Sequence, residues 1–61
     1  MYPYGTIVDS WTFAGRNFRI HLLEGETGKR NYWIMADGDI VAINGEKPSR
    51  LWCHAVYYEL V

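Results

Sequence analysis

The chain lacks an excess of either charge, a second cysteine and any long apolar run, and each absence narrows what it can do. Six Lys and Arg against seven Asp and Glu leave a formal charge of -1. A duplex-binding protein carries a basic excess to displace phosphate counterions, and an acidic mimic of nucleic acid needs the reverse. Neither balance is present, so only a local patch of either sign can act. Cys53 stands alone, which excludes an intrachain disulfide and the stapled frameworks of secreted mini-proteins. Apolar stretches such as Ile40–Ile43 fall far short of the roughly 20 residues that span a bilayer. Met1-Tyr2-Pro3-Tyr4-Gly5 has neither the positive nor the apolar region of a secretory signal. The expectation is a single cytoplasmic domain over residues 1–61, with no membrane partner.

What the chain has in abundance is aromatic surface: Tyr2, Tyr4, Trp11, Phe13, Phe18, Tyr32, Trp33, Trp52, Tyr57 and Tyr58. A domain near this length buries only about 60% of the surface its unfolded chain exposes, which makes it marginal. Each aromatic removes roughly 150–250 Å² from water when buried, so these side chains can supply a core that smaller ones could not.

Short β-prone runs separated by turn signals follow one another along the chain. Thr6–Phe13 is the first, and Ala14-Gly15-Arg16-Asn17 reads as a tight turn. Phe18–Leu23 alternates well, and the polar loop Glu24–Asn31 follows it. Tyr32–Ala36 and Ile40–Ile43 flank Asp37-Gly38-Asp39, a good hairpin signal. The segment Arg50–Leu60 reads as helix or strand. Ser49 as N-cap favours helix, with Leu51, Ala55 and Tyr58 on one stripe, Trp52 and Val56 beside it, and Arg50, His54 and Tyr57 roughly opposite. The expected fold is therefore α+β, a four-stranded antiparallel meander with a C-terminal helix packed on one face. An all-β, five-stranded SH3-like small barrel is the alternative. In the meander the first and third turns share one end of the sheet, bringing Arg16 toward Asp37 and Asp39.

Alternation divides each strand between two faces. Ile7, Trp11, Phe13, Phe18, Ile20, Leu22, Tyr32, Ile34 and Ala36 form the face expected under the helix. Thr6, Val8, Ser10, Thr12, Arg19, His21, Leu23, Trp33 and Met35 form the other. Asp9 fits neither, and a β-bulge near Asp9-Ser10 or an edge position would accommodate it. On the second face, Trp33, Met35 and Leu23 would leave large apolar groups in water, and such patches mark contact sites.

The chemical motifs fail on inspection. Gly25–Arg30 resembles a phosphate loop only superficially, since Leu23 stands where the first Gly belongs and Arg30 where Ser or Thr would hold magnesium. Asp37-Gly38-Asp39 lacks the further oxygen ligand at Val41 and the Gly at Ala42 that a calcium loop wants. Cys53, His54 and His21 are too few and wrongly spaced for zinc, and Cys53 reads as a small core filler. No catalytic, cofactor-binding or metal-binding residue is assigned, and no enzymatic activity or cofactor is expected.

By elimination and by the leftover face, the expected function is protein binding. Trp33, Met35, Leu23, Arg19 and His21 would dock a larger protein or ribonucleoprotein target. Size class alone adds the category of phage or mobile-element inhibitors and regulators that occlude a host machine, such as a defence nuclease complex or a polymerase. A sheet-based single-stranded nucleic-acid binder is the alternative, using Arg19, His21 and Trp33 with Arg16, Lys29 and Arg30 nearby. Double-stranded nucleic acid is not expected as a partner, and the chain is read as a monomer or a homodimer.

Overall fold

In the computed structural model, which describes residues 5–25 and 28–59, four strands and one helix follow in chain order. They are β1 (Thr6–Phe13), β2 (Arg16–Glu24), β3 (Arg30–Ala36), β4 (Asp39–Asn44) and α1 (Arg50–Tyr57). The strands form one antiparallel sheet in the order β1-β2-β3-β4. This is the expected α+β meander. The barrel alternative is set aside, because β1 and β4 remain separate edges and the last segment is helical. The expected core contribution of Tyr2 and Tyr4, the loop residues Glu26 and Thr27, and Leu60 of the final segment lie outside the described residues.

Two tight turns set the register. Phe13 pairs with Arg16 and Ala36 with Asp39, so Ala14-Gly15 and Asp37-Gly38 are two-residue loops. All four of these residues have positive φ, the conformation that matches hairpin turns to strand twist. The first turn is shorter than the sequence suggests, because Arg16 and Asn17 join β2. Both turns lie at one end of the sheet and are tied together. The Asp37 carboxylate accepts from Arg16 Nη1 at 3.2 Å and from the Asn17 N–H at 2.9 Å, while its own N–H donates to the Asn17 carbonyl at 2.8 Å. Asp37 thus takes the expected partnership with Arg16, and Asp39 makes no ion pair among the described residues.

One extra residue on each edge strand changes which side chains face the helix. The β1–β2 register slips between Ile7 and Asp9, so Val8 has no partner of its own. Since a one-residue slip exchanges faces, Val8 packs against the core and Ile7 turns to the far side opposite His21. This corrects the placement of Ile7 and Val8. It also settles Asp9, which sits across from Ile20 on an edge strand, beneath the helix. A second slip lies between Ile34 and Met35, where Val41 is the extra residue of β4.

The helix starts where Ser49 predicts: its Oγ accepts from the Trp52 N–H at 3.1 Å. Its rotation differs from expectation. Leu51 is 77% exposed, and the stripe toward the sheet is Arg50, Cys53, His54 and Tyr57, at i, i+3, i+4 and i+7, while Trp52 packs against the core as expected. The reason lies in what the sheet presents. Asp9 needs a cation, and Arg50 supplies a forked pair at 2.7 and 3.0 Å. The Trp11 indole needs an acceptor, and its Nε1–H donates to His54 Nε2 at 2.8 Å. The same imidazole stacks on Phe13 at 3.8 Å and meets Phe18 edge-on, and Tyr57 also meets Phe18 edge-on. Trp11 lies parallel to Phe18 at 5.4 Å, with the Arg50 guanidinium 4.9 Å from its ring centre. Ile20, Ile34 and Cys53 form the buried centre.

Candidate functional site

The sheet face away from the helix is the candidate site, and its rows follow from the register. Ile7, His21, Trp33 and Ile43 cross all four strands in one row. Ser10, Arg19, Met35 and Ile40 form the next. Leu23 faces the same way, opposite Asn31. The structure therefore places Arg19, His21, Leu23, Trp33 and Met35 on one side of β2 and β3. They are not equally wet. Met35 and His21 are buried, Trp33 and Leu23 are half-buried, and Arg19 is exposed. The expectation of a wet Met35 is thus corrected, because a central strand shields its side chains with neighbours on both flanks, while Trp33 keeps part of its surface in water.

On this face the large apolar groups left in water are instead on the edge strands. Ile7, Ile40 and Ile43 are 50%, 49% and 53% exposed. Sequence alternation missed all three. Ile7 was hidden by the bulge at Val8, and β4 reads as an unbroken apolar run with no alternation. One signal did exist: a two-residue Asp-Gly turn pairs Ala36 with Asp39 and hence Met35 with Ile40. Fully burying an Ile is worth about 1.5–3 kcal/mol, so each of these side chains holds roughly half of that in reserve. Strands lie about 4.8 Å apart, which makes the face on the order of 15 Å wide.

At the turn end of this face is a groove of about 450 Å³ lined by Asn17, Arg19, His21, Met35, Asp37 and Gly38. Its one described carboxylate is already engaged. The Asn17 N–H and, secondarily, the Arg16 guanidinium hold Asp37 below its ordinary value of 3.8. Arg19 forms no ion pair among the described residues, whereas Arg16, Arg30 and Arg50 each face a carboxylate within 4 Å.

The groups considered for metal or nucleophilic chemistry do not converge. His21 lies on the open face, while Cys53 and His54 lie under the helix. Among the described residues no three His, Cys, Asp or Glu side chains gather as a metal site. Cys53 is fully buried, and desolvation, with a smaller push from the Asp9 charge, raises its thiol to about 11. No described helix is long and apolar enough to cross a membrane. Compared with protein-family models, curated proteins and solved structures, the chain matches none.

Proposed function

We propose that the protein is a small binding module that docks a larger protein on the sheet face opposite α1. The observation carrying this reading is the placement of Ile7, Ile40 and Ile43, half-exposed at both edges of one face. Apolar groups arranged across a face offer more to a partner than the same groups scattered singly. Arg19 and Trp33 on that face belong to the residue types that dominate interface energetics. The expected category, a regulator that occludes part of a larger machine, is a finer form of the same reading. Single-strand binding has less support, because Arg16 and Arg30 are matched by Asp37 and Glu24.

Site-specific photo-crosslinking tests the proposal. A photoreactive residue at Ile40 should yield a discrete adduct in a lysate of the protein's own cells. The same group at Leu51, on the outer side of α1, should not. Equal labelling from both positions, or none from Ile40, ends the reading. A nucleic-acid adduct at Ile40 would favour the alternative.

A further inference from the structure

Resting on that docking reading, we propose that the face recognises an acidic protein segment. An Asp or Glu side chain of the partner seats against Arg19 in the groove, and its apolar neighbours cover Ile40 and Ile43. Charge matching carries the inference. Of the four arginines in the chain, three meet carboxylates supplied by the chain itself: Asp37, Glu24 and Asp9. Arg19 is the remaining one, and it stands on the open face across from Met35. A guanidinium presents a rigid fork of donors that suits a carboxylate better than any neutral group. Met35 and the adjacent Ile40 form an apolar border along one side of it. A partner covering that border would exclude water and strengthen the charged hydrogen bonds.

A second copy of the chain is a poorer occupant. The described carboxylate on this face is Asp37, and it is occupied by Arg16 and the Asn17 N–H. Asp9, Glu24 and Asp39 register with the helix side, across from Ile20, Arg30 and Ala36. A twofold pairing of open faces would bring Arg19 toward its own copy with no free acid from the described strands between them. A nucleic-acid strand needs a track of cations, and the groove offers one arginine with its charge uncancelled.

Selection of a displayed random-peptide library on the folded protein tests this. The expected winners carry Asp or Glu flanked by aliphatic or aromatic residues. Selection on Arg19→Glu should instead favour Lys or Arg at the same place. For a synthetic winning peptide, Arg19→Ala should weaken binding about tenfold or more, as a charged hydrogen-bonded pair warrants. Arg19→Lys should recover part of the loss. Arg19 is exposed, so these variants should keep the wild-type melting temperature. Winners without an acidic residue, or binding indifferent to Arg19, overturn the acidic-segment inference. In that case loss of binding in Ile40→Glu leaves the docking reading standing. No enrichment, or binding that survives both Arg19→Glu and Ile40→Glu, overturns both. A concentration-dependent dimer in sedimentation that Ile40→Glu abolishes would replace the acidic segment with a second copy.

Discussion

On the helix side of the sheet the polar groups are matched, Asp9 by Arg50 and the Trp11 indole by His54, and Phe18, Ile20 and Ile34 are fully buried. On the opposite side Ile7, Ile40 and Ile43 stay half in water, although they are as apolar as anything in the core. One sheet thus has a face packed by the helix and a face where Met35 and His21 are buried at the centre but the edge isoleucines add little to the fold. The lesson concerns economy in a small domain. The single described helix covers one face, and the half-exposed edge isoleucines of the other are available to a partner.

The sharpest way to break this contrast is to truncate one residue on each face. Phe18→Ala removes a fully buried ring that stacks on Trp11 and meets His54 and Tyr57 edge-on. Such a deletion costs about 3–5 kcal/mol. At roughly 0.05–0.15 kcal/mol per residue, a chain of this length holds only a few kcal/mol in all. Phe18→Ala should therefore be largely unfolded at room temperature by circular dichroism. Ile43→Ser, on the open face, should shift the urea midpoint only slightly. Comparable losses from the two would mean that both faces carry the fold.

How much of this contrast was legible in the sequence depends on whether the cause was local. The Asp37-Gly38 and Gly15 turns, the four strands and the Ser49 cap are each written in a few adjacent residues. Strict alternation in β2 and β3 likewise placed Arg19, His21, Leu23, Trp33 and Met35 on one face. The bulges at Val8 and Val41 left no such mark, since a valine inside an apolar run looks the same paired or unpaired. They hid Ile7, Ile40 and Ile43. The helix rotation was hidden for another reason. Hydropathy favours burying Leu51, Ala55 and Tyr58, but Asp9 and Trp11 required a cation and an acceptor, and only the stripe Arg50, Cys53, His54, Tyr57 supplies both.

That requirement gives the second test, of intermediate size. His54→Ala leaves the part-buried Trp11 N–H without its acceptor and unstacks Phe13. An orphaned donor of this kind costs about 1–3 kcal/mol. His54→Gln, which keeps an acceptor but not an aromatic ring, should recover part of the loss in urea melts. If Gln and Ala are equally damaging, the ring contacts matter and the hydrogen bond does not.

The smallest effect separates the two acids that anchor the sheet, and it is read through pH. The hydrogen bonds from Arg50, and secondarily its charge, hold Asp9 below its ordinary value of 3.8. A carboxyl whose folded value is depressed contributes stability that is fully present above the unfolded value. That contribution is lost as pH falls through the lower, folded one. Arg50→Met removes the cause, so the variant should be less stable than wild type at neutral pH. The gap between them should close below pH 3.8, as Asp9 is protonated in both. Asp37 obeys the same sign, held low first by the Asn17 N–H and then by Arg16, but it joins two turns and leaves the helix untouched. Its share of the acid loss should therefore persist in Arg50→Met and disappear only in Asp37→Asn. Urea midpoints measured from neutral to strongly acidic pH on these three proteins decide the matter. A gap between wild type and Arg50→Met that stays constant with pH would show that Arg50 holds the helix by packing on Trp11 rather than by its pairing with Asp9.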